Sequence, residues 1–183
     1  MDREEKSSER REFILRPVGV VKSDITTPTF LPFGDEDAAA RTKKARDRHQ
    51  RTKKMISEVV IDPSLDGILD GIEEFSHILV LYWPHKIPEK ERSLRQVHPM
   101  GRKDIPLKGI YATRSPARPN PVLVSVVRLV ERRANVLRVE GLEALDGSPV
   151  IDIKPFTGLY DAPKNATYPE WLKKFHAELE RKE

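Results

Sequence analysis

The chain has 183 residues, enough for one domain with a small appendage and a core that folds without covalent staples. It contains no cysteine, which excludes disulfides, thiolate metal sites and cysteine nucleophiles and fits a reducing compartment. Charged residues make up 34% of it, against roughly 25% in typical domains. The 33 basic and 29 acidic residues almost cancel, to +4, so the clustering of charge says more than its total.

No apolar run approaches the ~20 residues needed to span a bilayer, and the start MDREEKSSERRE has no apolar signal core. A cytoplasmic protein is the expectation. Residues 1–12 read as a flexible, solvated tail. Phe13 to Lys22 (FILRPVGVVK) reads as a first strand, with Pro17 marking an edge or bulge. Ser23 to Gly34 has spaced aromatics and prolines without a helical period, and reads as loop.

Asp35 to Lys54 is strongly basic, with Arg41, Lys43, Lys44, Arg46 and Arg48 in its first part. Its opening acids and three alanines favour a helix start. No apolar stripe follows, so the segment is expected to be mobile, or ordered by something negative such as a phosphate backbone. A solvated arm without a partner is the alternative.

Ser57 to Ile61 reads as a short strand, and Leu65 to Ile72 as a turn of helix interrupted by glycines. Ser76 to Trp83 (SHILVLYW) reads as a buried strand, with His85 and Lys86 just past its end. Pro88 to Arg95 is a charged loop or short helix. Gly109 to Thr113 (GIYAT) reads as a strand, and Val122 to Val130 as the longest one. Between them, Pro116, Pro119 and Pro121 fix the backbone and remove amide donors. A stiff loop therefore presents Arg114, Ser115, Arg118 and Asn120 at the edge of a sheet, a setting suited to binding or catalysis. The alternative is a solvent-facing turn whose prolines only block aggregation.

Asn135 to Glu140 alternates apolar and polar residues and closes a hairpin with its predecessor through Arg132 to Asn135. Asp146-Gly147 is a turn signal, and Val150 to Ile153 a further strand. From Tyr168 the chain reads as a helix with Trp171, Leu172, Phe175 and Leu179 on one face, expected to pack on the sheet. The fold class is mainly β: a small antiparallel barrel with short helices and one C-terminal helix. Its expected limits are 13–161 for the barrel, with 35–54 as a basic insertion, and 162–183 for the helix.

No glycine-rich turn supports a Rossmann site or a P-loop. The five histidines, His49, His77, His85, His98 and His176, show no metal-ligand spacing, and no metal is expected. Ser115 lacks the G-x-S-x-G context of a nucleophile elbow. His77, opening an apolar strand, reads as a core group or structural hydrogen bonder. Tyr82 and Tyr111 read as core rather than stacking surfaces.

The strings GIYATRSPARPNPVLVSVVRL and LEALDGSPVIDIKPF, preceded by FSHILVLYW and HPMGR, closely resemble the TsaA-like family over roughly Phe13 to Asp161. The resemblance implies a dimerising β-barrel that binds S-adenosylmethionine and methylates the exocyclic amine of threonylcarbamoyladenosine beside the tRNA anticodon. Residue by residue, it implies a cofactor site of His85, Lys86, Arg114, Glu143, Ala144, Leu145 and Asp146. The RPNP and DIKP strings, Arg118–Pro121 and Asp152–Pro155, are further signatures. Asn120 and then Asp146 are the candidate acceptors for the amine. Arg41, Lys43, Lys44, Arg46, Arg48 and Arg118 are the candidate contacts to tRNA. Leu123 stands where the family commonly has glycine, and loop 26–34 lacks the family's arginine and glutamine. These departures favour the alternative of a barrel that binds S-adenosylmethionine or a nucleotide without methylating.

Overall fold

Alternate residues turn inward along most of the strands, and nearly all of those are apolar; the barrel follows from that period. The computed structural model describes residues 12–28 and 37–180. The expected tail before residue 12, residues 29–34 of the loop and the opening acids Asp35 and Glu36 lie outside the described residues. Six strands close on themselves: β1 (Gly19–Lys22), β2 (Ile56–Ile61), β3 (His77–Tyr82), β6 (Leu123–Arg133), β7 (Val136–Glu140) and β8 (Pro149–Pro155). Their order around the barrel is β1-β2-β7-β6-β3-β8, and every pair is antiparallel. Two-residue strands β4 (Gln96–Val97) and β5 (Lys108–Gly109) form a separate small sheet.

Val21, Val59, Ile61, Ile78, Val80, Tyr82, Leu137, Val139 and Val150 fill the interior. The register shifts at Leu81/Tyr82 and at Leu129/Glu131. Bulges of this kind bend strands and let a small sheet close. Gly19 is required by a close approach, since a Cβ there would stand 2.3 Å from the Val60 carbonyl oxygen.

The expected barrel with one late helix is what the chain forms, but several expected elements differ. The first strand begins only at Gly19. Phe13 and Ile14 are exposed, and pairing starts with the Val18 amide on Val150 O at 2.8 Å, just after Pro17. The GIYAT stretch is a 3-10 turn over Ile110–Ala112 rather than a strand. Ile110 is buried, but Tyr111 is 73% exposed, which overturns the expectation of a core tyrosine there. Tyr82 is buried, as expected. His77 is exposed and shares a hydrogen bond with Ser76 Oγ at 3.0 Å, so of its two expected roles it takes the hydrogen-bonding one.

The basic segment is ordered helix α1 (Ala38–Lys53). Asp37 caps it, accepting from the Ala40 amide at 2.7 Å. The absence of an apolar stripe misleads because this helix buries Arg41, Thr42 and Thr52 instead. Its main packing partner is α3 (Glu170–Glu180), with Phe175 buried; the short helix α2 (Gly158–Asp161) lies between barrel and α3 in the chain. The expected seat of α3 was the sheet, and α1 supplies it instead.

Candidate functional site

Antiparallel order fixes which connections share an end of the barrel. At one end β6 and β7 meet through the tight turn at Ala134, and residues 62–76 join β2 to β3. The other end carries three excursions: residues 23–55 between β1 and β2, 83–122 between β3 and β6, and 141–148 between β7 and β8. His85, Lys86, Arg114, Ser115, Arg118, Asn120, Glu143, Ala144, Leu145, Asp146 and helix α1 all belong to these three. This end is the mouth.

Two of the excursions and the end of β3 are laced together. Asp146 Oδ1 accepts from the Ser23 amide at 3.1 Å, and the Asp146 amide donates to Ile25 O at 2.7 Å. Ser23 Oγ donates to Ala144 O at 2.9 Å. Lys86 Nζ donates to Thr26 O at 2.5 Å, tying the β3 side to the same loop. The Asp146-Gly147 turn needs its glycine, which has φ +77 and faces the His85 ring. His85 Nδ1 and Ser148 Oγ lie 3.4 Å apart. Partial desolvation first, and then the neighbouring Lys86 charge, hold the His85 imidazole below its ordinary value, against the pull of Asp146. The ring is therefore neutral near pH 7.

The second half of the mouth converges on Tyr82. Its hydroxyl lies 3.5 Å from Ser125 Oγ. Burial raises its pKa, and the charges of Glu143, Arg48 and Arg114 all reach it. Glu143 and Arg114, from different excursions, thus both act electrostatically on one buried phenol. Arg114 Nη2 donates to Val124 O at 2.6 Å. Leu145 is half-buried in its turn, and Asn120 is exposed at the mouth. The Asn120 carbonyl accepts from the Val122 amide at 2.8 Å, while its side chain makes no hydrogen bond to the described residues. Leu123 packs on the core opposite Tyr82, so barrel packing takes up its side chain.

Several of the expected tRNA contacts are committed to the fold. Arg41 is 8% exposed and donates to Met100 O at 3.4 Å. Arg46 Nε donates to Glu178 O at 3.1 Å, and Arg48 pairs with Glu143 at 3.7 Å. Arg118 donates to Ser115 O at 2.7 Å and Thr113 O at 2.6 Å, holding its own loop. Lys43 is exposed, and so is Lys44.

Sequence reasoning passed over Ser23 and Arg102. Arg102 Nη1 donates to Thr42 Oγ1 at 3.1 Å and pairs with Glu178, while its other nitrogens hold Asp104 at 3.1 and 2.6 Å. The HPMGR string is thereby a clamp between α1 and α3. Gly101 has φ +66, and a Cβ on it would meet Arg41 Nη1 at 2.1 Å. A serine following a strand or an arginine in a turn carries no local signal of such roles. Among the described residues no three histidines, aspartates or glutamates stand where they could hold a metal ion, and no helix is long and apolar enough to cross a membrane.

The molecule is a closed antiparallel barrel whose polar groups gather in the loops of one mouth, beside a basic helix. The chain belongs to the tRNA-methyltransferase O N-terminal domain family, whose model matches residues 40–162. It is 43% identical over 145 residues to a probable S-adenosyl-L-methionine-binding protein of Methanothermobacter thermautotrophicus, covering 79% of this chain and 90% of that protein. It is 33% identical over 161 residues to the human tRNA (adenine(37)-N6)-methyltransferase, covering 84% of this chain and 36% of that protein. The crystal structure of TrmO from Pseudomonas aeruginosa matches with a TM-score of 0.58 and 26% identity, covering 86% of this chain and 61% of that one. A further TrmO crystal structure matches at a TM-score of 0.61 and 27% identity, over 87% of this chain and 62% of that one. The chain spans about three fifths of the length of these solved structures.

Proposed function

We propose that the protein is an S-adenosylmethionine-dependent methyltransferase acting on the exocyclic amine of an adenosine beside the tRNA anticodon, with threonylcarbamoyladenosine as that nucleoside. The carrying observation is the convergence of Asp146, Arg114 and Asn120 at the one mouth of a barrel of this family.

The residues present fit the methyl donor, which brings a methyl group on a positively charged sulfur together with an ammonium, a carboxylate and an adenosine. Asp146 has Oδ1 engaged by Ser23, and its second oxygen remains an acceptor for a ribose hydroxyl or an adenine amine. Arg114 offers a guanidinium matched to a carboxylate. Neutral His85 adds no positive charge against the sulfonium. Glu143 and Asp146 favour cations at the same rim.

Transfer to an aromatic amine depends chiefly on alignment. The nitrogen's lone pair is delocalised into the purine. An acceptor on the amine hydrogens raises electron density on the nitrogen, and the proton that the amine must release on gaining the methyl group would pass to the Asp146 carboxylate or to water. We assign the acceptor role on the amine hydrogens to Asn120 Oδ1, on a loop stiffened by Pro119 and Pro121, with Asp146 the second acceptor. The ties of Arg118 to Ser115 and Thr113 keep the loop in shape. Two copies complete the functional unit, with the half-exposed Val126 and the Val130 side chain on β6 as apolar surface for pairing. A tRNA substrate fits a cytoplasmic protein.

Deleting the gene tests the reading. The tRNA of the deletion strain should lack one methyl group on an adenosine derivative beside the anticodon, and the restored gene should return it. Unchanged nucleosides in the deletion strain would refute the assignment.

A further inference from the structure

A cleft of about 710 Å³ opens beside the RPNP loop, lined among others by Glu89, Arg92, Arg95, Ile110, Tyr111 and Pro119. Its walls are fixed. The β4–β5 pair joins Gln96 to Gly109, and the Ile110 amide donates to Arg95 O at 2.8 Å. Ile110 is 5% exposed and anchors the 3-10 turn, which turns Tyr111 out to 73% exposure. The Arg92 guanidinium sits 5.1 Å from the centre of the Trp83 ring and donates to Ile87 O at 3.1 Å. Arg95 is exposed on the same wall. The lining thus carries two guanidinium groups and one carboxylate, Glu89. Pro119, also in the lining, is next to Asn120 in the chain.

An outward tyrosine ring, a rigid apolar wall and two guanidiniums have a definite complement. A base stacks on an exposed aromatic, and its phosphate pairs with arginine. A packed duplex offers no free base face, so the complement is an unstacked nucleotide of single-stranded RNA. We infer that this cleft seats a nucleotide neighbouring the one that reacts, with its base on Tyr111 and its phosphate on Arg95. This rests on the methyltransferase reading for the choice of RNA as partner, and it names the surface that reads the loop rather than the duplex. The exposed side of α1 is not needed for it.

The test separates the two ideas by measuring binding apart from turnover. Affinity for a fluorescent stem-loop RNA with an anticodon-type loop is measured by anisotropy, and affinity for S-adenosylmethionine by calorimetry. Tyr111→Ala should weaken RNA binding about tenfold, the scale of one lost stacking contact. Tyr111→Phe should bind like the parent. Arg95→Ala should weaken binding and flatten its salt dependence by about one unit of slope. Donor affinity should not change in any of them. The exposed ring makes misfolding of Tyr111→Ala easy to check by its melting temperature. RNA affinity unchanged in Tyr111→Ala, in a protein that still transfers methyl groups, overturns this inference and leaves the methyltransferase reading standing. Tyr111-dependent RNA binding without any transfer does the reverse. Loss of donor binding in Tyr111→Ala would make the cleft a donor pocket and overturn the inference.

Discussion

Two arginines, Arg132 at the closed end of the barrel and Arg114 at its mouth, are held in different ways. At the closed end Arg132 is fully engaged: it donates to Leu69 O at 2.9 Å, Asp70 Oδ1 at 2.9 Å and Glu73 Oε2 at 3.2 Å. The bonds to Asp70 and Glu73 hold its pKa above the ordinary arginine value, and Glu73 is depressed first by a hydrogen bond to its own backbone and then by Arg132. At the mouth, Arg114 makes one bond, to Val124 O at 2.6 Å, and Asn120 keeps its amide free of bonds to the described residues. Much of the mouth is also committed to the fold, as with Arg102 and Arg118, whereas Arg114, Asn120 and the second oxygen of Asp146 keep capacity for a partner. Unused hydrogen-bonding capacity on a rigid frame, more than charge as such, is what marks these three as candidates.

The sharpest way to break this contrast is at Asn120. Asn120→Ala should lower turnover about a hundredfold, the scale of one lost transition-state hydrogen bond. Its donor affinity should stay the same, as read by calorimetry beside steady-state rates; equal losses in both would remove Asn120 from the acceptor role. Next comes the clamp at the mouth's outer side. Arg102→Ala removes the bonds to Thr42, Asp104 and Glu178 together and should cost about 1 kcal/mol in chemical denaturation, since it leaves the part-buried Glu178 unpaired while Thr42 keeps its bond to Ala38 O. A variant as stable as the parent would show that α1 and α3 hold each other without it. The contrast is then read directly from a pair of variants. Arg114→Ala should weaken donor binding about tenfold with a small change in melting temperature. Arg132→Ala should lower the melting temperature and leave donor binding untouched. An exchange of these phenotypes would erase the distinction between the ends.

The smallest effect concerns pH. The folded protein holds the His85 imidazole below its ordinary value of 6.5. In that window the unfolded chain binds a proton that the folded chain refuses. Stability should therefore fall as pH drops through about 6.5 toward the folded pKa, and recover above it. His85→Gln should flatten the slope of melting temperature against pH between about 5.5 and 7. The same slope in parent and variant would mean that His85 does not carry it.

Much of the frame is legible in residue order. SHILVLYW and the run from Leu123 to Leu129 give strands because they are short, nearly continuous apolar runs rich in β-branched residues or aromatics. The Asp146-Gly147 turn also declares itself. The basic helix does not, because its support comes from α3, far along the chain, and its buried groups are arginine and threonine. Local periodicity contains no trace of Arg102 or of the Glu178 it reaches. GIYAT alternates like a strand, yet only Ile110 is drawn inward, and the small β4–β5 sheet leaves Tyr111 on a turn. The mouth residues were found by loop position and family likeness. Their placement at one end of the barrel, and the way Ser23 and Lys86 lace the rim, depend on barrel closure between strands distant in sequence.

The most direct measurement mixes purified protein, methyl-labelled S-adenosylmethionine and unfractionated tRNA, digests the RNA and identifies the labelled nucleoside. Label in a single adenosine derivative, on its exocyclic nitrogen, is the predicted result. Donor that binds while the RNA stays unlabelled, or donor that fails to bind at millimolar concentration, would contradict the account.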